Sequence, residues 1–451
     1  MRRASLTLAT GLVSSSLALS AAWAEPLTPA QRAERAARIR DVAADNGISA
    51  GFLLAGIAQA ETNLSHCWSE LTWACEGPAS PDCDGGPVVA GAGDGPCSLM
   101  EGGLGMFQFD GGTFDETLAR DGDGVLLLAG NVTRAVDFVV DMVMRSTYVD
   151  ASTPAEAKAW MNQVTVDGPL WEAWITTVTH YYNGCVPGVC GVFDDRYAHY
   201  DASAADVYAE LGEAFWQVEL PPCAPVPPEG RALEETDRCF EKGGPLPYWR
   251  VGMGGESELH VWTGTIDAAE PTNFARWSLE LDEAGTYLVE VSVPPGGTTP
   301  QARYEITHGG VVDEVVVDQG ATTGWVSLGE LEFAAGGGQA VLVGDDTGDV
   351  ESERLVVDAL RLTRVDVGQG GGGAGGQGGA GGAPSGGAGG AEGDVVPSPA
   401  QVTCVCGLGR ASGSTWSGAA LCALGLAALS RRATGRRPRG VASARRPVGL
   451  R

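Results

Sequence analysis

A chain of 451 residues with 67 glycines and a formal net charge of −28 is too long for one ordinary domain and strongly acidic, so two domains plus linkers are expected. Its body has no Lys/Arg stripe, and the one dense basic run is at the extreme C-terminus, which excludes nucleic acid as a partner.

Residues 1–24 have a basic start, an apolar centre and a small-residue end at Ala22-Trp23-Ala24, the pattern of a secretory signal peptide cut after Ala24. The apolar centre is short and broken by serines, which argues against an N-terminal membrane anchor. The cysteines agree with export: of eleven, eight fall between Cys67 and Cys239, an even number that points to disulfides. Cys185 with Cys190 and Cys223 with Cys239 are local pairs, whereas Cys67, Cys75, Cys83 and Cys97 leave three pairings open. They lack a CxxC, and His66 is the only histidine near them, so neither a metal nor a cofactor is expected.

Thr28-Pro29-Ala30-Gln31 opens a helix with an N-cap, a proline at the first position and a capping-box glutamine. It runs to Gly47, and its alanine-rich side with Ile39 and Val42 suits the surface of a core. In GFLLAGIAQAETN, Phe52, Leu53, Leu54, Ile57 and Ala58 leave almost no polar face, which predicts a buried central helix. Glu61 ends it. Apolar surroundings and the negative end of the helix dipole favour a protonated carboxyl there, as a general acid requires; the bland alternative is a solvent-facing Glu closing a helix.

Residues 65–103 show no helical or strand period and read as a disulfide-stapled loop rich in Gly, Pro and Asp. Asp121-Gly122-Asp123-Gly124 lacks the later acidic ligands of an EF-hand, so calcium is not expected there. From Asn131 the periodic AVDFVVDMV predicts a helix with Val136, Val139, Val140 and Val143 inward, and WEAWITTVTHYYNG predicts another ending at Asn183-Gly184. Trp171 and Trp174 have core spacing, with sugar stacking as the alternative, and His180 reads as structural. A last helix, SAADVYAELGEAFWQ, closes an all-α domain near Val218.

The order Glu61-Thr62, Gly105-Met106-Phe107-Gln108 with Thr113 five residues later, Asn131, and Tyr182-Asn183-Gly184 resembles the lysozyme-like lytic transglycosylases. Their pattern is Glu-Ser, Gly-Leu-Met-Gln, Asn-Ile and Ala-Tyr-Asn-x-Gly. The resemblance implies Glu61 as acid/base, Thr62 keeping the family's hydroxyl, Met106 and Gln108 lining a sugar cleft, and Tyr182 and Asn183 close to the carboxylate. Thr62 replaces the family's Ser, Gly111 stands where Pro is usual, and a cysteine-bearing insertion between Glu61 and Gly105 lies where it could reshape saccharide choice.

Residues 220–247 hold many prolines with Cys223 and Cys239 and read as a pinned linker. Then the period changes: FARWSLELD, TYLVEVSVP, ARYEITH, DEVVVDQ, GWVSLGELEF, QAVLVGD and RLVVDALRLT predict an antiparallel β-sandwich of roughly seven strands. Arg276-Trp277, Glu283-Ala284-Gly285-Thr286-Tyr287, Val317-Asp318-Gln319, Gly324-Trp325-Val326-Ser327-Leu328-Gly329 and Val357-Asp358-Ala359-Leu360-Arg361-Leu362 resemble the golvesin-like domain, a carbohydrate-binding-like module. The resemblance implies a fold, with a carbohydrate or wall ligand or a plain spacer as its role.

Residues 367–402 are a Gly-rich flexible spacer. Residues 403–451 join Cys404-Val405-Cys406 to a short apolar run and an arginine block, and resemble the MYXO-CTERM sorting tail. That resemblance implies membrane engagement before processing and display at the cell surface.

The expected architecture is therefore multidomain α plus β: signal peptide 1–24, an all-α lysozyme-like domain at 25–219, linker 220–247, antiparallel β-sandwich 248–366, spacer and tail. The expected function is an exported peptidoglycan glycosidase cleaving the MurNAc–GlcNAc β-1,4 bond with one Glu. No second carboxylate stands at a motif position. An anhydro product through the substrate's own 6-hydroxyl and hydrolysis through Asp110 or Asp115 both stay open. The rival is a non-catalytic surface protein that grips wall glycan; a structural surface protein with a relic α domain is the third reading.

Overall fold

The computed structural model describes residues 26–71, 73–91, 102–349 and 352–365. The segments predicted as signal peptide, Gly-rich spacer and sorting tail, with Cys97 and Glu101, lie outside the described residues. Among those described, no helix is long and apolar enough to cross a membrane.

The helical part contains α1 (Pro29–Asp45), α2 (Phe52–Thr62), α3 (Phe114–Asp121), α4 (Leu128–Arg145), α5 (Pro154–Met161), α6 (Trp171–Thr177), α7 (Phe193–Leu211) and α8 (Glu213–Trp216). The capping box predicted for α1 is present, with Thr28 and Gln31 each bonding the other's backbone N–H. In α2 every residue from Phe52 to Ala58 is buried, as its apolar run requires. Trp171 and Trp174 belong to the core, 6% and 1% exposed. The last helix starts at Phe193, ten residues before the predicted Ser203, because FDDRYAHYD has little apolar face and is helical through its packing on α2.

The helical part is not wholly α. The insertion read as an irregular loop folds into an antiparallel pair, β1 (Cys75–Ala79) with β2 (Pro87–Ala90), short enough to leave little period in the sequence. A Cys67–Cys83 bridge staples it, and Cys75 is disulfide-bonded as well. Cys185–Cys190 and Cys223–Cys239 are paired as expected.

The strand part comprises β3 (Gly230–Leu233), β4 (Phe240–Gly243), β5 (Arg250–Met253), β6 (Leu259–Gly264), β7 (Phe274–Leu281), β8 (Gly285–Val293), β9 (Ala302–His308), β10 (Val311–Val317), β11 (Gly324–Phe333), β12 (Gly336–Gly344), β13 (Arg354–Val357) and β14 (Leu360–Arg364). Sheets of order β10-β9-β12-β7-β4, β11-β8-β14-β3 and β13-β6-β5 form, with antiparallel pairing throughout. Strict alternation in β7 sends Ala275, Trp277, Leu279 and Leu281 inward, where they join Tyr287, Val289 and Val291 of the facing sheet. Strands outnumber the predicted seven because β3 and β4 come from the Pro- and Cys-rich segment, where four-residue strands carry no visible period, because β5 and β6 precede the first predicted strand, and because RLVVDALRLT divides into β13 and β14. β3 and β4 bond to β14 and β7 as sheet edges.

Asp121-Gly122-Asp123-Gly124 sits where the helical and strand parts meet. A Cβ on Gly122 (φ +94°) would lie 1.9 Å from the Val251 carbonyl oxygen, and Asp123 Oδ1 accepts from the Met253 N–H at 3.0 Å. Asp121 is 1% exposed and paired with Arg134 at 2.9 Å, so this acidic run secures a junction. Lys242 of β4 reaches Asp137 of α4 at 2.5 Å, a second buried tie.

Candidate active site

Glu61 lies in the last turn of α2, and the chain then turns left-handed at Asn63 and Leu64 (φ +55° and +66°). Arg32 of α1 secures this end: its guanidinium donates to the Asn63 side-chain oxygen at 2.9 Å and to Gln59 Oε1 at 3.0 Å, and pairs with Glu210 of α7 at 2.5 Å. Further back, Gly56 allows α7 to approach; a Cβ there would sit 2.5 Å from the Ala204 Cβ. The crossing brings Tyr200 to Glu61, one turn from Ala204 on α7. The Tyr200 hydroxyl donates to Glu61 Oε1, and Asn183 Nδ2 donates to the Tyr200 oxygen at 3.3 Å. Burial first, then the charge of Glu61, pushes the Tyr200 phenol far above its ordinary range, so it remains a proton donor in this bond.

A cleft of about 480 Å³ opens at this point. Glu61 and Asn183 line it, with Trp73 from the insertion and Arg196, His199 and Tyr200 from α7. Glu61 is the one carboxylate among the described lining residues. His199 Nε2 bonds the Ala60 carbonyl at 3.0 Å, tying α7 to the turn that carries Glu61.

The other predicted residues sit behind this wall and position it. Thr62 is buried, and its hydroxyl donates to the Met106 carbonyl at 3.0 Å. Met106 does not line the cleft as the resemblance implied; its side chain is 0% exposed in the hydrophobic core, and its backbone carbonyl is what reaches toward α2. Gln108 takes a left-handed backbone (φ +50°), and its amide donates to the Gly105 carbonyl at 2.7 Å, closing a tight turn. Asn131, buried on α4, accepts from the Phe107 N–H at 3.0 Å and donates to the Val125 carbonyl at 2.9 Å. Tyr182 donates to the Phe107 carbonyl. Its phenol is raised well above its usual value by burial and by the charge of Glu61. Tyr182 closes a single π-helical turn, Val178–Tyr182, which delivers Asn183 to the cleft.

Tyr200, Arg196, His199 and Trp73 were not read from the sequence. Arg196, His199, Tyr200 and Ser203 recur at three- and four-residue steps, a helical face that would have revealed them had the helix been traced from Phe193. Asp110 and Asp115 do not line the cleft. Asp110 is exposed and accepts from the Gly112 N–H at 2.8 Å, and Asp115 occupies the first turn of α3.

A separate acidic group lies in the strand part. Glu234, Glu235 and Asp358 bring carboxylate oxygens within 4.8 Å of one another, a donor set of the hard-oxygen kind that cations prefer. Burial pushes Glu235 up to about 8, Glu234 to about 7 and Asp358 to about 6, and the nearby Asp358 charge adds to the rise of the two glutamates.

The strand part is thus an antiparallel β-sandwich. Residues 260–364, from β6 to β14, match the family model of the Golvesin C-terminal domain. No curated protein matches the chain. Among solved structures it is similar to a xanthan lyase from Paenibacillus, at 21% identity over 30% of this chain and 13% of that one, with a TM-score of 0.26. It is also similar to a family 35 carbohydrate-binding module from Clostridium thermocellum, at 13% identity over 29% of this chain and 97% of that one (TM-score 0.22). A family 35 module from Paenibacillus barcinonensis aligns at 11% identity over 30% and 98% (TM-score 0.21). The chain spans 13% of the xanthan lyase's length.

Proposed function

We propose that the chain is an exported, surface-displayed glycosidase of the lytic transglycosylase type. It would cleave the MurNAc–GlcNAc β-1,4 bond of peptidoglycan with Glu61 as its single acid/base. The observation that carries this reading is the cleft itself, in which Glu61 is the one carboxylate among the described lining residues and accepts from Tyr200, whose oxygen in turn accepts from Asn183. The order of the four motifs around it supports the same chemistry.

A two-carboxylate retaining mechanism needs a second acid roughly 5–5.5 Å away, and no described lining residue offers one. In the proposed mechanism Glu61 protonates the glycosidic oxygen as the bond to C1 breaks, and the substrate's N-acetyl oxygen attacks C1. The Glu61 carboxylate then takes the proton from the same sugar's 6-hydroxyl as that oxygen closes on C1 and displaces the N-acetyl oxygen, which breaks the C1–O bond just formed, restores the acetamide and gives an anhydro product. Asp110 and Asp115 lie outside the lining, which favours this route over a water activated by either of them.

Glu61→Gln tests the assignment, because an amide keeps the size but cannot donate a proton. Turbidity loss of purified peptidoglycan is expected to slow about a hundredfold or more, with circular dichroism unchanged. Full activity in the folded variant would overturn it. A wild type inactive on every wall glycan would favour the glycan-binding surface protein, the reading to which the golvesin match of residues 260–364 lends support.

A further inference from the structure

We propose that Trp73 is a sugar-stacking plate at the mouth of the Glu61 cleft, contributed by the disulfide-stapled insertion, and that it receives the apolar face of an N-acetylhexosamine unit of the glycan chain. The inference rests on the glycosidase reading of Glu61 for its ligand class and on separate geometry for its location.

Trp73 is 64% exposed, more than any other Trp, Tyr or Phe among the described residues. Tryptophan is on average highly buried, so an indole held in water calls for a cause. Looseness of the surrounding loop is not that cause. Leu71 and Ala74 on either side are only 7% and 6% exposed and pack on Val89 of β2. Glu70 Oε2 accepts the backbone N–H groups of His66 at 2.9 Å and Cys67 at 3.1 Å, and Glu70 Oε1 meets Arg35 of α1 at 2.7 Å. The Trp68 indole donates to the Ala74 carbonyl at 3.0 Å, and the Cys67–Cys83 bridge closes the insertion. Described neighbours on both sides are therefore held in place while the indole faces solvent.

Its position gives the exposure a use. Trp73 lines the same cleft as Glu61, facing the polar side chains Arg196 and His199 of α7. A pyranose ring has an apolar C–H face and a hydroxylated rim. An indole plate on one side, with a carboxylate, a guanidinium and an imidazole around it, matches both. A plate already fixed in place costs little ordering entropy on binding. Because Trp73 comes from the insertion and not from the helices that carry the motifs, it acts on saccharide choice and leaves the proton chemistry to Glu61.

The test compares Trp73→Ala and Trp73→Phe with the full-length chain, both in a Glu61→Gln background so that the probe is not turned over. The probe is the β-1,4-linked N-acetylglucosamine tetramer, followed by calorimetry. The expected result is a dissociation constant roughly tenfold or more weaker for the alanine variant, partly restored by phenylalanine, with unchanged circular dichroism. An unchanged constant in the alanine variant overturns the plate and leaves the Glu61 assignment standing. A tetramer that binds neither the parent nor its variants overturns it too. If tetramer binding depends on Trp73 while the protein with Glu61 intact fails to clear peptidoglycan, the plate stands and the glycosidase reading falls.

Discussion

Tyr200 reaches Glu61 across 139 residues of sequence, and its phenol is the group that fixes one carboxylate oxygen. A hydrogen bond to a charged group contributes about 1.5–3 kcal/mol. Tyr200→Phe removes that bond and the longer one that Asn183 Nδ2 donates to the phenol oxygen, while the ring stays in a buried site. With Glu61 as acid/base, kcat on peptidoglycan is expected to fall about tenfold or more while KM stays within about twofold; a KM effect with kcat intact would make Tyr200 a substrate contact instead. Thr62, Gln108 and Asn131 act at the same scale through backbone groups, so their identities matter for what they accept and donate and not for what they show to the cleft.

At the scale of elements, the site depends on how closely α2 and α7 cross. Gly56 and Ala204 are the small residues that allow it, and any Cβ at Gly56 forces a shift because a helix backbone and not a flexible side chain stands in its way. Gly56→Val is expected to cost about 1–3 kcal/mol in urea denaturation and to lower activity further by drawing Tyr200 from Glu61. Gly212→Ala, at a glycine with no neighbour near its Cβ direction, is the control for backbone strain alone, since its φ is +81°. If the two variants behave alike, the crossing is not what limits packing here. The insertion is the other decisive element. Its hairpin, its bridge and Glu70 order the described part of a stretch without period, which brings Trp73 to the cleft.

At the scale of the whole molecule, the helical and strand parts meet at a junction that includes Asp121 to Gly124, Val251, Asp137 and Lys242. Close to it, Glu235, Glu234 and Asp358 are held above their ordinary values, so the folded chain keeps protons that the unfolded chain releases above about pH 4 to 4.5. Their stabilising protonation is complete below that range and is lost as pH rises through about 6, 7 and 8. Glu116, Glu156 and Glu210 work in the opposite sense, below their ordinary value of 4.5 and outside this window, whereas His66 and His260, held below 6.5 by burial, oppose the carboxylates up to about pH 6.5. Scanning calorimetry in a chelating buffer is expected to show the melting temperature falling between about pH 6.5 and 8, where Glu234 and Glu235 lose their protons, with a shallower slope in Glu235→Gln. An equal slope in the variant would remove Glu235 as its source.

Local physics left clear marks where one segment settles its own environment. The capping box of α1, the apolar run of α2, the inward valines of α4 and the alternation of β7 all depend on neighbours within a few residues, and all are present. The short disulfide loops were legible for the same reason, because a small sequence separation brings the cysteines together. Glu61 could be singled out since a lone carboxylate ending an apolar helix is a local feature. The tertiary structure decided what depends on distant partners: that α7 is helical from Phe193, that Tyr200 and Trp73 converge on Glu61, that Met106 turns into the core, and that β3 and β4 complete sheets begun elsewhere. A polar helix face or a four-residue strand gains its free energy from the surface it packs against, and that surface comes from a remote part of the chain.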